Sequence, residues 1–247
     1  VQAGLIPKFV DIDPLTLNIS ISDLKKKINK KTKAIMGVHV LGNSTNMDEL
    51  MKIVKKNKLY LIEDTCESLG SIFNKKYLGN FGDFGTFSFY YSHQITAGEG
   101  GMIIFNFINS GFNLRPLEIS AAIGFNQFKK LNRFKKIRFN NRVKIISKLK
   151  NSDKWKNQFT FIDPIKKLDP SWFGLPILIN QKNKKNRNKF LDFLNKNGIE
   201  TRPIISGNFL NQPSVKLYKL NKDKEVFKNS QEIEDRGFFI GIHIDPI

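Results

Sequence analysis

The sequence predicts an α/β protein with a mostly parallel sheet flanked by helices, and three observations carry that prediction. Ala34-Ile35-Met36-Gly37-Val38-His39-Val40 and Leu59-Tyr60-Leu61-Ile62-Glu63-Asp64 are apolar runs of strand length, of the kind found in parallel sheets covered on both faces. Between them, Leu50, Met51, Ile53 and Val54 repeat at helical spacing over Met47 to Asn57. A strand–helix–strand rhythm of this length is the signature of right-handed crossovers in one layered domain.

The remaining elements follow in order. Lys8 to Asp13 reads as a strand ending in acidic turn residues, and Ser22 is placed to cap a short helix opening at Asp23-Leu24. Ser71-Ile72-Phe73 and Lys76-Tyr77-Leu78 flank Asn74-Lys75 as a small hairpin. Phe87 to Tyr90 alternates as a strand, breaks at Ser92-His93 and returns through Gly98-Glu99-Gly100-Gly101 to a strand at Met102 to Phe105. Asn109 to Pro116 is a turn-rich insertion. Glu118 to Leu149 then carries a long helical pattern with a break expected near Asn140-Asn141. Beyond it, Trp172 to Ile179 is a strand and Lys184 to Asn197 a helix stopped at Asn197-Gly198. Ile199 to Ile205 is an edge or bent strand because of Pro203, and Gln231 to Gly241 passes from helix to strand. This divides the chain into a larger α/β domain over 1–149, with the long helix as connector, and a smaller α+β domain over 150–247.

Composition limits the function classes. An apolar fraction of 40% and a charged fraction of 26% are those of an ordinary globular protein. No run has the apolar length of a membrane span and no signal-peptide pattern opens the chain, so a cytoplasmic protein is expected. The single cysteine, Cys66, excludes an internal disulfide, a cysteine-ligated zinc and an iron–sulfur cluster. A net charge of +19 would suit a nucleic-acid binder. The lysines are scattered through every segment, however, without an arginine-rich helix, zinc spacing or aromatic RNA-binding signature, and a solvated basic surface is the better reading.

Ligands in open α/β sheets bind beyond the carboxyl ends of the strands, which is where Asp64 lies. On spacing alone Asp64 reads more readily as a cap for a helix over Thr65 to Leu69, and Glu67 suits a capping box as well as it suits a ligand contact. His93, at the mouth of a strand before a glycine-rich return, has the layout of an active-site residue.

Together these residues resemble the DegT/DnrJ/EryC1/StrS family of sugar aminotransferases, fold-type I pyridoxal-phosphate (PLP) enzymes of the aspartate-aminotransferase-like class. The resemblance runs from Gly4 to Asp13, through Ile62-Glu63-Asp64-Thr65-Cys66-Glu67, Gly79-Asn80-Phe81-Gly82-Asp83 and Phe87-Ser88-Phe89-Tyr90, to Gly111-Phe112-Asn113-Leu114-Arg115-Pro116-Leu117-Glu118. It implies that Asp64 pairs with the cofactor's ring nitrogen, that Ser88 donates to its phosphate and that Glu67 lies near the ring hydroxyl. Asn113 matches a residue reaching the phosphate of a neighbouring subunit, which implies a homodimer with a shared site.

One departure from the family pattern bears on the reaction. Its aminotransferases carry a Schiff-base lysine where this chain has His93, and no lysine lies between Lys76 and Lys129. Histidine has no primary amine, but it can move protons near neutral pH. The pattern Ser92-His93-Gln94-Ile95-Thr96 resembles the lysine-less branch, the 3-dehydratases of deoxysugar and O-antigen (lipopolysaccharide) biosynthesis. That branch implies pyridoxamine phosphate as the working form of the cofactor and L-glutamate as amino donor. One route within it uses a CDP-linked sugar with an iron–sulfur cluster and a reductase, which a lone cysteine cannot supply. The other uses GDP-4-keto-6-deoxymannose, and Ser171 to Pro176 and Thr201 to Pro213 resemble it. Arg202 is the candidate contact with that nucleotide-sugar substrate. Against the same pattern a Gly/Ser/Thr phosphate-binding turn lies before Val1, several dozen residues are lacking between Phe105 and Gly111, and a last helix follows Ile247. Weaker cofactor affinity than that of a full-length parent is therefore expected.

Overall fold

A computed structural model describes residues 4–105, 118–221 and 224–247. The chain opens with a small antiparallel pair, β1 (Ile12–Asp13) and β2 (Asn18–Ile19), followed by helix α1 (Ile21–Lys27). The strand expected over Lys8 to Asp13 is thus confined to its last two residues. The helix is capped two residues earlier than the spacing suggested. Ser20, not Ser22, accepts the Asp23 N–H, because Ser20 has the extended backbone that a cap requires.

The central sheet is built from β3 (Ala34–Val38), α2 (Met47–Asn57) and β4 (Tyr60–Asp64). The hairpin strands β5 (Ile72–Phe73) and β6 (Lys76–Tyr77) intervene before β7 (Phe84–Ser88) and β8 (Gly101–Phe105) complete it. Its order is β3-β4-β7-β8, with the first three strands parallel and β8 antiparallel. Asn46 caps α2 by accepting from Glu49, and Leu50, Ile53 and Val54 turn inward with Leu24 onto Ile35 and Leu61.

Both helices lie on the same face of this sheet. Met36, Tyr60, Ile103 and Phe105 on the other face remain exposed among the described residues. The strands therefore alternate buried and exposed positions, where the sequence suggested burial on both sides.

After the sheet come α3 (Glu118–Phe128) and α4 (Leu131–Lys150). The long helical pattern breaks at Lys129-Lys130 and runs unbroken through Asn140-Asn141, because Asn141 turns its carboxamide to the carbonyls of His243 and Asp245 and leaves the helix backbone intact. The insertion over 109–116 lies outside the described residues.

The second sheet combines β9 (Phe159–Phe161), β11 (Gly174–Ile179), β12 (Thr201–Arg202) and β13 (Gly237–Gly241) in the antiparallel order β12-β13-β11-β9. Thr201–Arg202 is the edge strand that Pro203 foretold. The intervening β10 (Leu168–Asp169) crosses back to pair with β5. Helices α5 (Arg187–Lys196), α6 (Pro213–Leu217) and α7 (Lys228–Arg236) complete the chain, α5 being preceded by a 3-10 turn over Gln181–Asn186. One apolar cluster joins Leu17, Val40 and Leu41 to Leu178, Ile204, Ile233 and Phe239, so the second sheet packs directly against the end of β3.

Candidate active site

The site forms at the carboxyl ends of β4 and β7. Register aligns Val38 with Asp64 and Asp64 with Thr86, so these strand ends are level and their side chains share one face. Gly85 lets the 79–82 loop press against β7: a Cβ there would lie 2.1 Å from the Gly79 carbonyl oxygen.

Asp64 ends β4, and its Oδ1 accepts the Cys66 N–H at 3.1 Å. The expected helix over Thr65 to Leu69 does not form. Thr65 instead bonds through both its N–H and its hydroxyl to the Thr86 carbonyl, which holds the segment as a turn against β7. Glu67 accordingly makes no capping box. Its Oε2 accepts the N–H of Leu41 at 3.0 Å from a segment that follows β3. Burial pushes the Glu67 carboxyl up to about 7, against the Leu41 hydrogen bond and helped by the charge of Asp64. The Cys66 thiol is likewise pushed up to about 12 by burial and the adjoining Asp64.

Ser88 ends β7 with its Oγ 3.0 Å from Nδ1 of His93. The turn is closed by the His93 N–H donating to the Tyr90 carbonyl. The imidazole lies 5.5 Å from the Phe173 ring and 6.1 Å from that of Tyr90. Burial holds it below the ordinary histidine value, partly offset by the Asp64 carboxylate and the Tyr90 carbonyl. Arg202 reaches the same loop from the second sheet. It is exposed, its Nε donates to Glu200 at 2.8 Å, and its charge also bears on the Tyr91 hydroxyl. Asn113 lies outside the described residues.

The structure thus brings Asp64, Glu67, Ser88 and His93 together, with Arg202 at the rim. It also reveals a pair that sequence reasoning missed. Glu63 is buried on the face opposite Asp64, and its carboxylate takes His39 Nε2 at 3.0 Å and the N–H groups of Gly79, Phe81 and Gly82. Burial pushes its carboxyl up, but His39 and these backbone donors outweigh that and leave it below the ordinary glutamate value. The signal was present as two polar residues inside strand-like apolar runs.

The donor set fits a planar heteroaromatic cofactor with an anionic arm. Asp64 offers a half-buried carboxylate for a protonated ring nitrogen, and Ser88 a hydroxyl for a phosphate. Among the described residues no group of three or more histidine, cysteine or acidic side chains could hold a metal ion.

The DegT/DnrJ/EryC1/StrS aminotransferase family model matches residues 1–107 and 105–245. The chain belongs to that family. Within the family it is 36% identical over 283 residues to the GDP-4-keto-6-deoxy-D-mannose 3-dehydratase of Escherichia coli O55:H7, covering 98% of this chain and 71% of the relative. A histidine variant of GDP-4-keto-6-deoxymannose-3-dehydratase solved with bound GDP-perosamine superposes with a TM-score of 0.86 at 35% identity, over 99% of this chain and 72% of that one. The same enzyme with a trapped PLP-glutamate geminal diamine gives a TM-score of 0.86 at 34% identity, over 100% of this chain and 72% of that one. The DegT/DnrJ/EryC1/StrS fold, a fold-type I arrangement, accounts for the parallel strands and for the site at their carboxyl ends. Among the described residues no helix is long and apolar enough to cross a membrane.

Proposed function

We propose that this chain is a PLP/pyridoxamine-phosphate-dependent 3-dehydratase that removes the C3 hydroxyl of a nucleotide-linked 4-keto-6-deoxy sugar of the GDP-4-keto-6-deoxymannose type, with L-glutamate as amino donor. The observation that carries this reading is His93 itself. By the family resemblance it falls where the aminotransferases carry their lysine, and it is hydrogen-bonded to Ser88 and beside Asp64, with no lysine between Lys76 and Lys129.

Asp64 would hold the ring nitrogen of the cofactor, Ser88 its phosphate, and Glu67 would lie near its ring hydroxyl. When bound, the cofactor would supply a ring through which electrons can be relayed to expel the hydroxyl from the carbon next to the keto group. The protein's part is proton movement. With a proton on Nδ1, His93 donates to Ser88 Oγ, which leaves the serine's own O–H for a phosphate oxygen and the basic lone pair on Nε2. A value held below that of ordinary histidine keeps this nitrogen unprotonated at neutral pH, as a general base requires. In the balanced reaction glutamate becomes 2-oxoglutarate and ammonia, and the two electrons it loses reduce C3 from carbinol to methylene.

Arg202 would meet the nucleotide sugar at the rim, and the Tyr91 hydroxyl beside it supports that placement. A homodimer in the cytoplasm, with Asn113 completing the partner's phosphate site, is part of the same proposal. The exposed Ile119, Ile123, Phe125 and Phe128 of α3 supply an apolar surface that a second subunit would cover. The division into domains over 1–149 and 150–247 is retained with it.

The test is incubation with PLP, L-glutamate and GDP-4-keto-6-deoxymannose, following 2-oxoglutarate, ammonia and the 3-deoxy product. Formation of all three in equal amounts is expected. His93→Lys should gain the absorbance of a covalently held cofactor and lose dehydration. Dehydration unaffected by that change sinks the assignment.

A further inference from the structure

We propose that Gln94 is a positioning residue, whose buried carboxamide locks the His93 loop both to the turn after Asp64 and to the segment that sets Phe173 against the imidazole. This rests on the reading of His93 as the proton-moving group.

Gln94 follows His93 directly and is only 2% exposed. Its Nε2 donates to the Glu67 carbonyl and, at 3.3 Å, to the Ser171 carbonyl. These acceptors come from two separate parts of the chain. Because both are carbonyl oxygens, the amide orientation is fixed: the flipped form would set oxygen against oxygen twice.

The two anchor points are themselves tied together. Leu41 donates its N–H to Glu67 Oε2 at 3.0 Å and accepts the Phe173 N–H at 3.1 Å on its carbonyl. Ser171 donates its N–H to Ser71 Oγ at 2.8 Å, and that hydroxyl donates to the Gly42 carbonyl at 2.9 Å. Contact is close enough that a Cβ on Gly42 would lie 2.3 Å from the Ser171 carbonyl oxygen. Glu67, Leu41, Phe173, Ser171 and Gln94 therefore form a closed ring of hydrogen bonds and chain links, with His93 hung from it next to Phe173.

The chemistry of the side chain argues for geometry over filling. Gln94 Oε1 is buried without a hydrogen-bond partner among the described residues. An unsatisfied buried acceptor costs free energy that an apolar side chain of the same length would not. What the amide adds in return is a fixed position for the residue before it. Around the imidazole stand the Asp64 carboxylate from β4, the Ser88 hydroxyl from β7, the Tyr90 carbonyl of its own loop and the Phe173 ring. Only with the loop held can His93 keep Nδ1 on Ser88.

The test is Gln94→Met in the whole chain, which keeps the length and removes both N–H donors. With histidine nitrogens labelled, the three imidazoles are followed by NMR in the cofactor-free protein. In the parent, His93 should show the tautomer protonated at Nδ1 and titrate below the ordinary histidine value. In the variant the tautomers should mix and the midpoint rise toward that value, while kcat falls about 100-fold, as expected for a reacting group displaced by roughly an ångström, with KM unchanged. A folded variant whose His93 tautomer and midpoint match the parent overturns the proposal. If the variant does not fold, the Gln94 carboxamide protons of the parent decide: exchange as slow as that of core amides supports the lock, and free exchange overturns it. Absence of dehydratase turnover in the parent, with the NMR result intact, would instead sink the functional reading and leave the lock standing.

Discussion

Glu63 and Asp64 are consecutive in β4 and serve opposite faces of the sheet. Asp64 looks into the site, and Glu63 ties His39 and the 79–82 loop beneath it. His39 bridges the two, since its ring bonds Glu63 and its backbone N–H donates to the Asp64 carbonyl. Glu63→Ala removes the acceptor of three backbone N–H groups and of His39, and should cost about 3–5 kcal/mol of stability, as for other broken buried pairs. Denaturant unfolding measures it, and a loss below about 1 kcal/mol, the worth of an exposed pair, would contradict this account.

Glu67 gives stability a pH dependence of a particular sign. Its carboxyl sits at about 7 in the folded chain against an ordinary 4.5. Between those values the folded state holds the extra proton, so this group's contribution declines as pH rises through the window. Glu67→Gln keeps an acceptor for Leu41 without the charge, and should be more stable than the parent above pH 7 by up to about 3 kcal/mol. Below the ordinary glutamate value the two should converge. Parallel stability curves across that range would refute the assignment.

The thiol of Cys66 offers a simple chemical check. Burial and Asp64 raise it to about 12, which leaves very little thiolate at pH 8. Reaction with a disulfide reagent in the native state should be at least about 100-fold slower than in urea. Asp64→Asn removes the Asp64 charge from beside the thiol and should speed it.

Ser88→Ala removes both jobs proposed for that hydroxyl at once. The imidazole would lose its partner on Nδ1 and a bound cofactor its phosphate donor. Turnover should fall about 10- to 100-fold, as when outer partners of a functional histidine are removed. A spectral titration with PLP should show weaker binding. A variant with parent-like binding and turnover would remove Ser88 from the site.

The central elements were legible because burial on one face leaves a period. Leu50, Ile53 and Val54 gave α2, and Ile35 and Leu61 marked the strands that receive it. Four of the candidate site residues converge because they fall at or near strand ends, a position that order in the chain reveals. Finer features depended on partners distant in sequence. Ser20 outcompetes Ser22 as a cap through its backbone angle. Thr65 finds Thr86 and so no helix follows Asp64, while Glu67 finds Leu41. Gln94 and Glu63 escaped notice for the same reason, since their partners include carbonyl oxygens and N–H groups to which side-chain identity gives no clue.

The antiparallel return of β8 sets Ser88 opposite Gly101, and Phe89 donates its N–H to the Gly100 carbonyl. The residues between leave the sheet and rejoin it where they left, and Gln94 fastens them to the Glu67 and Ser171 carbonyls. Position 93 itself lies outside β7 and β8 and takes no part in their register. Fold and reaction are separable in this architecture. One scaffold can trade a primary amine for an imidazole by changing a pendant and leaving the frame alone.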